Sequence, residues 1–151
     1  MDETIRTFEG TARPHVGLST QDVPAARRFY ELLLGVGPTK VREDYVKFES
    51  AVPPLNLSIS RTSEPPRVGG AHYGIELRSV QAVHEAAARL RAAGIEPRDE
   101  RATCCYAFQE KAWVTDPDGR EWELFVALAD TDVSTEGRDR TCCAADCCAS
   151  S

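Results

Sequence analysis

His15-Val16-Gly17-Leu18-Ser19-Thr20 returns 57 residues later as His72-Tyr73-Gly74-Ile75-Glu76-Leu77. Both stretches alternate in the manner of a half-buried strand, and both run into a helix signal. After the first, Asp22 is placed to cap, Pro24 is tolerated in the first turn, and Val23, Ala26, Phe29, Tyr30 and Leu33 recur at helical spacing until Gly35 and Gly37 stop the run. After the second, Ser79 takes the capping place, Val80, Val83, Ala87 and Leu90 form the apolar stripe, and Gly94 ends it. The pairs His15/His72, Gly17/Gly74, Asp22/Ser79, Leu33/Leu90 and Gly37/Gly94 all stand 57 apart, so the chain holds two copies of one βαβββ unit.

The expected fold class is therefore α+β, two βαβββ modules forming a curved sheet with the helices on its outer face. In the first module three short strands are expected around residues 38–42, 45–50 and 55–60, with Pro53-Pro54 between the last two. Residues 1–13 read as a flexible leader, 14–128 as the folded domain with modules at 14–64 and 71–128, and 129–151 as a flexible tail carrying cysteines. Matching Pro54-Leu55-Asn56-Leu57 to Glu121-Trp122-Glu123-Leu124 pairs Asn56 with Glu123. Gly37 to Asn56 is 19 residues and Gly94 to Glu123 is 29, an excess of about ten in the second copy, expected around residues 98–107. Specificity is expected to reside in that insertion.

The totals restrict the function. At 151 residues the chain suits one compact domain. A net charge of -6 and a pI near 5.1 disfavour nucleic acid or an anionic membrane surface as a partner, leaving small-molecule chemistry. No apolar run approaches the roughly 20 residues of a membrane span, and the start Met1-Asp2-Glu3-Thr4-Ile5-Arg6 lacks the apolar core of a secretory signal, so a cytoplasmic location is expected. There the six cysteines stay reduced, which favours thiolate or metal chemistry over disulfides. They come as three adjacent pairs: Cys104 with Cys105, Cys142 with Cys143, and Cys147 with Cys148.

Strand alternation puts His15, Gly17 and Ser19 on one face, His72, Gly74 and Glu76 on another, and Glu121, Glu123 and Phe125 on a third. If the copies are related by a local two-fold axis, His15 and His72 approach one point and Glu123 joins them, with Glu76 and Glu121 as reserve ligands. Two imidazoles and one carboxylate leave open positions on a metal, an arrangement suited to non-haem Fe(II) and oxygen; zinc, manganese or nickel accept the same donors. His84, beside Glu85 and Arg89 in a helix, is expected to be solvent-exposed. Two thiolates on one loop chelate a single soft centre, such as trivalent arsenic, cadmium or mercury, more readily than they close on each other.

With these residues in hand, the two-copy βαβββ pattern over residues 14–128 resembles the vicinal oxygen chelate superfamily, which includes glyoxalase I, bleomycin resistance proteins and extradiol dioxygenases. Within it, Cys104-Cys105-Tyr106-Ala107-Phe108-Gln109-Glu110-Lys111-Ala112-Trp113-Val114-Thr115, together with Pro53-Pro54-Leu55 and His72-Tyr73-Gly74-Ile75-Glu76, is similar to the ArsI family of organoarsenical carbon-arsenic lyases and its cadmium-induced relatives. The resemblance implies an Fe(II)-dependent, O2-consuming dioxygenase-type lyase that cleaves the carbon-arsenic bond of trivalent methyl or aromatic arsenicals to give arsenite. It implies Cys104 and Cys105 as holders of arsenic, and His72 and Glu123 as metal ligands. The first-strand ligand is then His15, where some relatives have glutamine. Lys111 and Tyr106 are weaker candidates for polarising oxygen or closing the pocket. Cys142, Cys143, Cys147 and Cys148 either capture arsenic or are incidental thiols. The site is expected within a monomer or across a homodimer. Two other functions fit parts of the pattern: a non-catalytic thiol protein sequestering Cd(II) or As(III), and a glyoxalase-like isomerase or extradiol dioxygenase.

Overall fold

A computed structural model of the protein describes residue 8, residues 10–104 and residues 107–130, with the backbone alone at 102–104, 107–108 and 129–130. Two compact units divide at Pro65 and Pro66. The first is β1 (His15–Thr20), α1 (Val23–Leu34), β2 (Lys40–Arg42), β3 (Tyr45–Ala51) and β4 (Pro54–Arg61); the second is β5 (Tyr73–Glu76), α2 (Val80–Ala92), β6 (Arg98–Cys104), β7 (Ala107–Thr115) and β8 (Glu121–Asp130). Each unit is therefore βαβββ.

The helices begin and end where side chains satisfy the free backbone groups. Asp22 accepts from the Ala25 amide and Ser79 from the Ala82 amide. Gly35 closes α1 in the left-handed region, where its amide reaches back to the Glu31 carbonyl. Strand order is β1-β4-β3-β2 in the first sheet and β5-β8-β7-β6 in the second; the outer pair β1/β4, like β5/β8, is parallel and the others are antiparallel.

One face of each sheet packs under its helix. In the first unit Val46, Phe48, Leu55, Leu57 and Ile59 are buried with Val23, Ala26, Phe29, Tyr30 and Leu33 of α1. In the second, Ile75, Ala112, Val114, Trp122, Leu124 and Val126 are buried with Val83, Ala86, Ala87 and Leu90 of α2. Covering the apolar residues this way leaves the alternate residues of each strand for the opposite face.

Strand register corrects two expectations. Gly17 pairs with Ser58 and Gly74 with Glu123, so the first-module counterpart of Glu123 is Ser58, while Asn56 pairs with His15. A two-residue slip in the sequence match keeps side chains on the same face, which is why the period-2 pattern could not exclude it. The second correction concerns the excess. The β2/β3 hairpin has three rungs, Lys40↔Lys47 to Arg42↔Tyr45, and the β6/β7 hairpin has seven, Arg98↔Trp113 to Cys104↔Ala107. Four added rungs are eight residues, split between both strands of the hairpin.

Candidate metal and thiol site

Asp116-Pro117-Asp118-Gly119-Arg120 delivers β8 to the sheet. The Asp116 carboxylate accepts from the amides of Asp118 and Arg120, and Arg120 returns a guanidinium hydrogen bond of 3.0 Å to it, both side chains being buried. Gly119 supplies the positive φ of 92° at the end of the turn. From this fixed start Glu123 falls on the face opposite α2, paired on one side with Gly74 and on the other with Trp113.

There the Glu123 carboxylate is shared. His72 Nε2 lies 3.5 Å from Oε1, and Lys111 Nζ donates to Oε2 at 3.1 Å. Lys111 and Glu123 are both buried. The ammonium also lies 5.5 Å from the Trp113 ring centroid and 6.0 Å from that of Phe125. The Trp113 and His72 rings meet edge to face, with centroids 5.6 Å apart and an interplanar angle of 70°. His72, Glu123, Lys111 and Trp113 thus close a ring of side chains in the second unit. Gly74 makes the room: a Cβ there would stand 2.9 Å from Glu123 Cγ, 3.1 Å from its Oε1 and 3.3 Å from Phe125.

The His72 and Glu123 donors fit a metal ion. Two N or O ligands about 2.1 Å from one metal, subtending angles from square to tetrahedral, stand about 3.0 to 3.4 Å apart, close to the observed 3.5 Å and longer than a well-made hydrogen bond. Among the described residues no group of three His, Cys, Asp or Glu side chains that could hold a metal is gathered. His15 is in the first unit, exposed on β1, with Nε2 at 3.1 Å from Ser58 Oγ. Of the reserve ligands, Glu76 is exposed and Glu121 half-buried.

Cys104 ends β6. Cys105, Tyr106, Cys142, Cys143, Cys147 and Cys148, all singled out in the sequence, lie outside the described residues, as does the Cys104 side chain. The Cys104 rung runs through Ala107 to Asp130, seven residues beyond Glu123 on β8, which is about 20 Å along a straight strand. The β7/β8 ladder is not straight. Its register shifts between Phe108 and Gln109, leaving Leu128 without a partner, and such a bulge bends the strand pair.

His84 is exposed on α2, as expected, and it also makes a contact that the sequence did not show. Although its ring is mostly exposed, its Nε2 lies 2.5 Å from Glu110 Oε1, and Arg101 donates to the other carboxylate oxygen at 2.6 Å. Arg101 first, then His84, hold the Glu110 carboxyl below its ordinary value against the opposing effect of burial. This clip ties α2 to the β6/β7 hairpin. Sequence reasoning did not single out Glu110 or Trp113 for these contacts, because the rung pairing and helix packing that make neighbours of distant residues are not displayed along the chain.

Residues 13–124 match the family model of the Glyoxalase/Bleomycin resistance protein/Dioxygenase superfamily. The chain belongs to that superfamily. Among its relatives, a trivalent organoarsenical cleaving enzyme of Thermomonospora curvata is 36% identical over 91% of this chain and 99% of its own. The cadmium-induced protein CadI of Mycobacterium bovis is 39% identical over 83% of each. A glyoxalase/bleomycin resistance protein/dioxygenase from Alicyclobacillus acidocaldarius shares the superfamily fold, with a TM-score of 0.63 at 16% identity over 78% of this chain and 92% of that one. No described helix is long and apolar enough to cross a membrane.

Proposed function

We propose that this superfamily member is a carbon-arsenic lyase acting on trivalent organoarsenicals, with Fe(II) held by His72 and Glu123. When bound, the iron supplies O2 chemistry at its open positions. The rest is done by the chain's own residues. Cys104 and Cys105 bind arsenic as a dithiolate and fix the direction of its organic group. Lys111 retains Oε2 of Glu123, so that Oε1 is the oxygen offered beside His72. Buried Lys111, Trp113 and Glu123 keep water from the inner side of the site. Seven residues of β8 separate the thiol rung from Glu123, so curvature at the Leu128 bulge is assigned the task of bringing the Cys104 end back over the sheet.

The observation that carries this reading is a single asymmetry. The hairpin that gained four rungs over its counterpart is the one ending in Cys104, and its base supplies the Lys111 and Trp113 that meet Glu123 and His72. The organoarsenical cleaving relatives, at 36% identity over most of this chain, supply the substrate class.

The relationship to CadI supports a second reading, a thiol protein that sequesters Cd(II) or As(III) without turnover. One experiment separates them. The protein is loaded anaerobically with Fe(II), a trivalent methyl or phenyl arsenical is added, and arsenic speciation is followed after admission of air. Inorganic arsenite formed only with both Fe(II) and O2 supports the lyase; arsenical bound but recovered intact supports sequestration.

A further inference from the structure

Glu100 stands on β6 opposite Lys111, on the face that carries Glu123. Its Oε2 accepts a 3.1 Å hydrogen bond from Trp113 Nε1, while its Oε1 is buried and has no hydrogen-bond partner among the described residues. A buried acceptor left without a partner costs about 1–3 kcal/mol, so a neutral or apolar residue would suit a purely structural place better. Among the described residues, the contact the carboxylate makes is with the indole. A charge-assisted hydrogen bond is roughly twice as strong as a neutral one and fixes the plane of the Trp113 ring. The same negative charge at the N–H edge enriches the ring face, over which Lys111 Nζ lies at 5.5 Å. Edge to face, that ring also meets His72.

We propose that Glu100 is a positioning residue for the His72–Glu123 pair, acting through Trp113. It sets the His72 ring by fixing the indole against it. It also strengthens the indole's hold on Lys111, which in turn keeps Glu123 Oε2. The inference rests on the metal reading above for its consequence, but the side-chain chain itself is present without metal. Because Glu100 lies four residues before Cys104 on the same strand, it also makes the thiol strand mechanically continuous with the ligand pair.

The test compares wild type with Glu100→Ala, Glu100→Gln, Trp113→Phe and the Glu100→Ala/Trp113→Phe double variant, using two readouts. The first is the His72 ring-proton resonance of the metal-free protein, displaced by the indole ring current. The expected result is a shift towards the free-histidine position in Glu100→Ala and a smaller one in Glu100→Gln. The second is Co(II) affinity, followed by the visible spectrum. Glu100→Ala and Trp113→Phe are each expected to lose about tenfold, the lower end for outer partners of metal ligands. Glu100→Gln is expected to recover part of this, and the double variant to be no weaker than Trp113→Phe alone. An unmoved His72 resonance in Glu100→Ala, or additive losses in the double variant, overturns the proposal. A wild type that fails to take up Co(II) overturns the metal reading instead, and the resonance still decides the positioning role.

Discussion

Gly74 and Glu123 share one rung of the β5/β8 ladder so closely that a Cβ on the glycine would stand 2.9 Å from the glutamate Cγ. The equivalent glycine of the first module, Gly17, pairs with Ser58 and would bring its Cβ no nearer than 3.8 Å to Ser58 Oγ. Two glycines at one repeat position thus have different reasons to be glycine. The first lies in ordinary contact distance, and the second leaves space for the Glu123 side chain.

Gly74→Ala is accordingly expected to displace the Glu123 carboxylate and reduce Fe(II) or Co(II) affinity by about ten- to a hundredfold. Gly17→Ala should leave Gly74-side metal affinity within the error of the measurement. Titration of the two variants side by side checks this, and equal losses would remove the special role of the Gly74–Glu123 contact.

Lys111 and Glu123 form a buried pair, with side chains 3% and 10% exposed. Removing the ammonium alone strips a buried carboxylate of its Lys111 hydrogen bond, so Lys111→Met should lower the unfolding free energy of the metal-free protein by about 3–5 kcal/mol. Under the proposed function, bound metal would restore a positive charge to the same carboxylate. Denaturant unfolding with and without Co(II) should therefore show a smaller difference between variant and wild type when metal is present.

Glu110 sets an acid dependence. Its folded-state value is depressed from 4.5 by Arg101 and then by His84, so the stability it contributes is fully present above the unfolded value and is lost as pH falls through the lower folded one. Glu110→Gln should thus be less stable than wild type above pH about 4.5, with the gap closing in stronger acid. Urea midpoints across that range test the sign; a gap that widened with acid would refute it.

The thiols and the proposed metal donors should separate by mutation. Cys104→Ser or Cys105→Ser is expected to abolish tight arsenical binding while sparing Fe(II) uptake, and Glu123→Ala to spare arsenical binding while abolishing arsenite release. Deleting residues 138–151 should weaken capture at low arsenical concentration and leave turnover at saturation intact. Isothermal titration paired with arsenic speciation distinguishes each outcome.

Leu128 is the unpaired residue of the β7/β8 bulge and is 45% exposed. Its deletion restores an uninterrupted ladder and straightens the hairpin end. Arsenical binding and Co(II) uptake should both survive, with arsenite release falling at least about tenfold, as expected when reacting groups are held out of range. Unchanged turnover would show that the bend has no part in bringing the thiols to the metal.

The sequence by itself determined the duplicated βαβββ order, because the apolar periods of 2 and 3.6 and the caps at Asp22 and Ser79 are local properties that a window of a few residues displays. It also put His72 and Glu123 on strand positions of matching parity, and the structure brings those two to 3.5 Å. Register was beyond its reach. A shift of two residues preserves every inside-outside assignment, so only the ladder could replace Asn56 by Ser58 as the first-module counterpart of Glu123 and spread the extra eight residues over both strands of the β6/β7 hairpin. The contacts of Lys111 with Glu123, Glu100 with Trp113 and His84 with Glu110 were equally hidden, since each joins residues from different elements whose distance is decided by strand pairing and helix packing rather than by spacing along the chain.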